Sequence, residues 1–397
     1  MRRLLPLLLL SGCSAQFTPE TVVNSLRVLS LVAEPPEVRP GETSRLEVEW
    51  GDPSRINEPS TAIWVGCDPD PLDLGRSACN DATMLIEPTR IEQLPEGMRL
   101  LGLGQDIVSY TPSASSFDVL PADDARRQTG SVGLVIVIVI GEDVGSQLEG
   151  EGLKEMLQRV QDRSTPAAIA VSRVLVSEKT SGRNQNPVID GLTFDGQVLP
   201  RGAKLQVRAG QEVQLGAAIP ASSRETYVEQ LPSGPVERTE TVVGAWYSIG
   251  GRFSRERFEV GDDSATTFYA PGHPDFPDDV VPERRLGELW LVARDNRGAQ
   301  AYRTFRYWVC DEAAPRPEVA SLTPPASETE VAVVRGAGMA GVLDVLVGDV
   351  AMTNATYSAA RDAYVGDLPA LPAGTYPVSV RGKNCENFDT GLTYTVP

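Results

Sequence analysis

The chain has 397 residues, 41% of them hydrophobic, with 36 Gly, 31 Pro and a formal net charge of −18. That apolar content supports packed cores and excludes wholesale disorder, and the length gives room for two to four domains of ordinary size. The acidic balance argues against nucleic acid, whose phosphates need Lys and Arg, and against flat adhesion to anionic lipid.

Met1-Arg2-Arg3 is a charged start, Leu4 to Leu10 an apolar run too short to span a bilayer, and Ser11-Gly12-Cys13 a small-residue end. This is the pattern of a secretory signal. Leu10-Ser11-Gly12-Cys13 resembles the lipobox of bacterial lipoproteins. The resemblance implies a signal peptide over residues 1–12, cleavage before Cys13, and acylation of the Cys13 thiol and its new amino group. Several acyl chains hold a protein stably at a membrane, whereas one does not. Residues 13–24 then read as a tether. By the same resemblance Ser14 favours the outer membrane. The expected place is the cell envelope, on the periplasmic face or the cell surface, with the membrane as partner through the lipid anchor.

Residues 25–180 form the first expected module. Ser25 to Val32 alternates as a strand, Glu34 to Glu42 is a turn rich in Pro and Gly, and Ser44 to Trp50 alternates again. Ala62 to Cys67 is a third strand. Val132 to Ile140 is the most apolar run after the leader, is cut off by Gly141-Glu142-Asp143, and is dominated by β-branched residues, which predicts a central strand buried on both faces. Leu153, Met156, Leu157 and Val160 have the i, i+3, i+4, i+7 spacing of one short amphipathic helix packed on the same sandwich. Ala168 to Val176 returns as a strand, and Ser177 to Asn184 reads as a polar linker. Strand, Pro-Gly-Glu turn, strand resembles the opening of bacterial immunoglobulin-like (Ig-like) sandwiches.

Residues 185–312 repeat that logic, with Gly210-Gln211-Glu212 between the strands Leu205–Ala209 and Val213–Ala217. Val243 to Ser248 resembles the strand that carries a buried tryptophan in such sandwiches. A final hairpin, Leu286–Arg294 and Ala301–Val309, turns at Asp295-Asn296-Arg297-Gly298 and resembles the end of PKD-like domains. Residues 313–397 contain Pro317-Glu318-Val319-Ala320-Ser321-Leu322-Thr323-Pro324, Val334-Arg335-Gly336-Ala337-Gly338 and Gly374-Thr375-Tyr376-Pro377-Val378. They resemble the IPT/TIG family, a small Ig-like sandwich used for contacts and as a spacer. Gly336 and Gly338 are expected where a side chain would clash.

Four cysteines remain after Cys13, and an even number in an oxidising compartment predicts two disulfides. Three pairings are open. Cys67 and Cys79 bound a short Pro/Asp/Gly-rich loop, which makes a local pair natural and leaves Cys310 with Cys385, tying the last module to the strand before it.

Catalytic, cofactor and metal residues are not expected. The single histidine, His273, sits between prolines in what reads as an exposed loop, away from any nucleophile it could serve. Asp262, Asp263, Asp275, Asp278 and Asp279 are loop carboxylates of the kind that hold Ca²⁺ at sandwich ends, but without a ligand spacing they read as solvated charge. The five tryptophans (Trp50, Trp64, Trp246, Trp290, Trp308) fall in strands and read as core. The fold class is therefore all-β, tandem Ig-like β-sandwiches with one short helix in the first module. The whole resembles Ig-like lipoproteins of GC-rich Gram-negative bacteria, of the myxobacterial type. The function that follows is non-catalytic binding or structure, with an envelope protein or glycan as partner. An envelope hydrolase or glycan-active enzyme with a site at residues 80–130, and an accessory subunit of an envelope assembly, are the competing readings.

Overall fold

The computed structural model describes residues 19–56, 61–72, 97–142, 151–199, 204–231, 233–282, 285–325 and 331–396. Its sheets pair off into three two-layer β-sandwiches. The first uses β1 (Arg27–Glu34), β2 (Glu37–Val38), β3 (Ser44–Gly51), β4 (Thr61–Cys67), β5 (Met98–Leu103) and β6 (Ile107–Tyr110). A single-turn helix α1 (Arg126–Thr129), β7 (Ser131–Ile140), α2 (Glu151–Gln161) and β8 (Ala167–Val176) complete it. Sheet β1-β3-β6 packs on sheet β2-β8-β7-β4-β5, and Leu31, Leu46, Val48, Trp64, Tyr110, Val135, Val137, Val139, Val174 and Val176 share the core between them. The alternating pattern of β3 explains its part: Leu46 and Val48 point in, Glu47 and Glu49 point out.

β7 shows why an unbroken apolar run was needed. Its odd residues Val135, Val137 and Val139 fill the sandwich, while Ile138 and Ile140 on the other face lie under Met156 and Leu157 of α2. Periodicity predicts only α2 in this module; α1, with four residues, is too short to leave a periodic signal.

The second sandwich contains β9 (Gly191–Phe194), β10 (Gln197–Val198), β11 (Lys204–Arg208), β12 (Glu212–Ala218), β13 (Thr226–Leu231) and β14 (Gly234–Thr239). It continues with β15 (Val242–Ser248), β16 (Arg252–Phe253), β17 (Arg257–Glu259), β18 (Thr266–Tyr269), β19 (Leu286–Asp295) and β20 (Gln300–Cys310). Sheets β10-β9-β12-β18-β16 and β11-β20-β19-β15-β17 enclose a core centred on Trp246, which stacks on Phe253 at 5.9 Å. β13 and β14 form a separate two-stranded ribbon.

In both sandwiches a short early strand pairs parallel with the last strand, β2 with β8 and β11 with β20. The turns at Pro40-Gly41-Glu42 and Gly210-Gln211-Glu212, which follow β2 and β11, carry the chain across to the opposite sheet, where in the first sandwich β3 pairs antiparallel with β1.

The third sandwich has β21 (Glu318–Thr323), β22 (Ala332–Ala337), β23 (Val342–Val347) and β24 (Val350–Ala351). β25 (Thr353–Ser358), β26 (Ala363–Asp367), β27 (Gly374–Gly382) and β28 (Asn387–Val396) follow. Sheets β21-β22-β26-β25 and β24-β23-β27-β28 share a core of Val334, Met339, Val345, Tyr364, Val378 and Val380. Gly336 is required by close approach: a Cβ there would run into the Glu318 carbonyl of β21. Cys310, at the end of β20, is bonded to Cys385 between β27 and β28, with Cα atoms 5.4 Å apart. Trp308, Leu343 and Leu286 pack around the bridge, and the Asp311 N–H donates to the Lys383 carbonyl at 2.7 Å. The last two sandwiches are thus joined by covalent, apolar and backbone contacts.

The polar segment 177–184 is not a free linker. Glu37, with no exposed surface, accepts hydrogen bonds from Ser177 Oγ at 2.5 Å and from the Asn184 N–H at 2.7 Å, and pairs with Lys179 Nζ at 3.1 Å. Arg183 reaches Glu42 at 2.5 Å and Arg127 reaches Glu178 at 2.7 Å. One buried carboxylate from the end of β2 gathers the segment onto the first sandwich. The residues at 19–23 are docked as well: Thr21 and Val23 are buried, and the Val23 N–H donates to the Ser248 carbonyl at 2.8 Å. Replacing Glu37 by Ala strands two buried donors and leaves the partly exposed Lys179 ammonium unpaired, and should cost about 3 kcal/mol. Denaturant unfolding and accelerated proteolytic cutting within 177–184 will show it, with Glu37→Gln intermediate.

Candidate functional site: the cleft between the first two sandwiches

β19 is apolar throughout its middle, and both its faces are covered. Leu289, Leu291 and Ala293 point into the second sandwich, whereas Trp290 and Val292 point out toward the first. There they meet Val23, Leu29, Ala245, Tyr247 and Ile249 in a separate apolar cluster. The Trp290 ring reaches β3 at Gly51, where a Cβ would stand 2.9 Å from its Cη2, so the close approach depends on glycine.

The polar end of that indole fixes the contact. Trp290 Nε1 donates to Glu49 Oε1 at 2.6 Å, and Thr304 Oγ1 donates to the same oxygen at 2.7 Å. Two residues earlier on β3, Glu47 accepts from the Tyr302 hydroxyl at 2.5 Å and pairs with Arg45 at 2.6 Å. Asn186 Nδ2 donates to the Ala33 carbonyl at 2.7 Å, and Ser30 Oγ to Gln300 at 3.2 Å. Arg294 caps the Leu29 carbonyl. The outward carboxylates of one alternating strand are therefore acceptors for the outward donors of β19 and β20.

Beside this contact lies a cleft of 310 Å³ lined by Glu49, Trp50, Asp52, Arg55, Glu288, Thr304 and Arg306. Burial pushes the Glu49 carboxyl up to about 7, with the hydrogen bonds from Thr304 and Trp290 opposing the shift and the Glu288 charge adding to it. Burial raises Glu288 too, against the pull of Arg306, whose Nε lies 3.2 Å away. Asp52 is occupied locally, accepting from the Ser54 N–H at 2.9 Å and its hydroxyl at 2.7 Å. The cleft thus offers carboxylate acceptors, guanidinium donors and the side of an indole. These groups can hold the hydroxyls of a small polar ligand.

The sequence pointed elsewhere. Cys13 and Cys79 lie outside the described residues, as does most of the first part of the 80–130 segment. Cys67 is fully buried and disulfide-bonded. His273 corrects an expectation: it is 6% exposed, not in an open loop. Its ring packs edge-on against Tyr269 at 4.9 Å and beside Phe276 at 5.6 Å, and its Nδ1 accepts from the Asp275 N–H at 3.2 Å. The flanking prolines bend the segment back over the sheet and do not hold it away. The loop aspartates do not converge. Asp278 pairs with Arg252 at 2.7 Å, Asp279 accepts from the Gly251 N–H at 2.8 Å, and Asp263 accepts from the Ala265 N–H at 2.9 Å. Among the described residues no group of three His, Cys, Asp or Glu side chains is placed to hold a metal, and no helix is long and apolar enough to cross a membrane. Trp64, Trp246 and Trp308 are buried, and Trp50 is half-buried at the cleft. Trp290 is buried between sandwiches, not within one. The one available signal was the unbroken apolar run 289–293, which implied two covered faces as it did in β7.

No protein-family model matches the chain, and no curated protein matches it. Solved structures do. A mixed-linkage glucan utilization locus protein of Bacteroides ovatus, SGBP-B with a bound heptasaccharide, is 14% identical over 52% of this chain and 48% of its own, with a TM-score of 0.17. The Yersinia pseudotuberculosis adhesin InvE is 12% identical over 82% of this chain and 74% of its own, with a TM-score of 0.20. The N-terminal Ig1-2 module of the Drosophila receptor protein tyrosine phosphatase DLAR is 13% identical over 72% of this chain and 100% of its own, with a TM-score of 0.20. This chain spans about half the length of the first of these. At such TM-scores none of them assigns a role to this chain.

The raised Glu49 carboxyl makes the junction sensitive to pH. An unfolded glutamate gives up its proton near 4.5, whereas Glu49 keeps it to about 7. The stability this adds is full below about 4.5 and lost as pH rises through 7. Unfolding of the first two sandwiches, followed by tryptophan fluorescence, should lose about 3 kcal/mol across that window. Glu49→Gln should flatten the dependence. Trp290→Ala should lower stability by about 3–5 kcal/mol and loosen the junction, which small-angle scattering will register as a larger radius of gyration.

Proposed function

We propose that the chain is a lipid-anchored protein of the cell envelope, fastened through Cys13 to the outer membrane, with a non-catalytic binding and structural role. Residues 25–180, 185–312 and 313–397 act in it as consecutive modules behind a tether at 13–24, the last part of which, residues 19–23, docks on the second sandwich. The observation that supports this reading is the coupling of the three sandwiches. Trp290 and Glu49 join the first to the second, and the Cys310–Cys385 bridge joins the second to the third. A body coupled in this way holds loops and strand edges at fixed spacing, which suits recognition of an envelope protein or a glycan. The cleft favours a glycan, because carboxylates and guanidiniums beside an indole match the hydroxyls and apolar ring faces of a sugar.

Two measurements test it. The wild-type chain should incorporate labelled palmitate and fractionate with membranes, and Cys13→Ser should do neither. Titration with soluble envelope polysaccharide should change tryptophan fluorescence, be weakened about tenfold by Trp50→Ala, and leave the polysaccharide chemically intact. A Cys13→Ser chain that still fractionates with membranes, or a polysaccharide cleaved by the purified chain, sinks the reading.

A further inference from the structure

β13 and β14 join neither sheet of the second sandwich. Among the described residues they pair only with each other, from Thr226 opposite Thr239 to Leu231 opposite Gly234. A two-stranded ribbon alone in water is marginal, and this one is clamped at its root. Arg297, in the turn between β19 and β20, pairs with Glu225 at 2.6 Å and with the fully buried Glu240, and its guanidinium lies 4.6 Å from the centre of the Tyr227 ring. Glu240 also accepts from the Glu225 N–H at 3.0 Å, and Asn296 Nδ2 donates to the Tyr227 hydroxyl at 3.3 Å. A buried ion pair set at the root fixes the direction in which the ribbon projects.

The two edges of the ribbon differ. Pro235 sits opposite Gln230 and has no N–H, so that pair is not a hydrogen-bonded one. Alternation along an antiparallel ladder then makes Val228–Glu237 and Thr226–Thr239 non-hydrogen-bonded as well. The backbone groups of Thr226, Val228 and Gln230 therefore point outward along β13. On β14 the outward positions are Pro235, Glu237 and Thr239, an edge blunted by a missing donor and a charge. β13 is the open edge, with Val228 at its middle 53% exposed.

We propose that β13 is a docking edge whose occupant is β13 of a second copy of this chain, added antiparallel across a two-fold axis at Val228. In that register Thr226 faces Gln230, Tyr227 faces Glu229 and Val228 faces itself. The single charge of the strand, Glu229, meets no like charge, so the edge is self-complementary although the chain as a whole carries −18. The product is a four-stranded sheet with an isologous contact, built by strand addition. It does not rest on membrane attachment.

The test uses the full chain in mild detergent. Val228→Cys, in a Cys13→Ser background, is oxidised alongside a Val350→Cys control, 45% exposed on the third sandwich. Hydrogen-bonded antiparallel partners have Cα atoms about 5.5 Å apart, within disulfide reach. Val228→Cys should give about tenfold more disulfide dimer than the control. In sedimentation the wild-type chain should show a dimer that Val228→Pro, lacking the outward N–H, shifts to monomer. Val228→Lys, which sets two ammonium groups face to face, should do the same without touching the backbone. Equal cross-linking of the two cysteine variants overturns the proposal. So does a wild-type chain that sediments as a monomer, including one that captures the strand of a different protein.

Discussion

A strand that is apolar on both faces must be covered on both faces, and β19 is the strand on which this molecule turns. One side of it completes the second sandwich, and the other side carries Trp290 into the first. An indole of about 200 Å² removed from water is worth about 5 kcal/mol in gross transfer energy. Its N–H would forfeit part of that gain if left unpaired, and Glu49 supplies the acceptor. The apolar and polar halves of one side chain therefore set both the strength and the geometry of the junction. The cleft beside it exists because two sandwiches meet there at a fixed angle.

Buried carboxylates do similar work elsewhere. Glu37 gathers the segment 177–184, Glu49 joins two sandwiches and Glu240 roots the ribbon. Each is an acid on an acidic chain, withdrawn from water and surrounded by hydroxyl, amide, indole, ammonium or guanidinium donors. Such sites add little net stability over an apolar equivalent, but a wrong arrangement would strand a charge, so they favour one arrangement over its neighbours. In this protein Glu49 sits where two modules meet, Glu37 where the following segment folds back on the first sandwich, and Glu240 where the ribbon leaves the second. The Cys310–Cys385 bridge does this covalently at the remaining junction.

The all-β architecture was legible because alternation is local. Leu46 and Val48 on β3, the β-branched run of β7 and the 3.6-residue spacing of α2 each carry their own signal. The pairing of Cys310 with Cys385 was legible through cysteine parity and loop length. His273 misled, because prolines on either side say that the chain bends and not which way. The segment 177–184 misled for a related reason: its polar residues are those of an open linker, yet here they satisfy a single buried acid. Trp290 was read as core and is buried, but alternation along its strand does not say that the core it fills lies between two sandwiches.

Periodicity along the chain determined which residues of a strand share a face, and hence the strands, the layered class and the apolar identity of each core. It carries no information about what lies opposite that face. Whether Glu49 meets water or an indole, whether β13 joins a sheet or stands apart, and whether β2 pairs with β3 or runs parallel to β8 were decided only by tertiary contacts. Those partners lie up to 241 residues apart, a separation at which local propensity is silent and only the packing of whole layers chooses between alternatives.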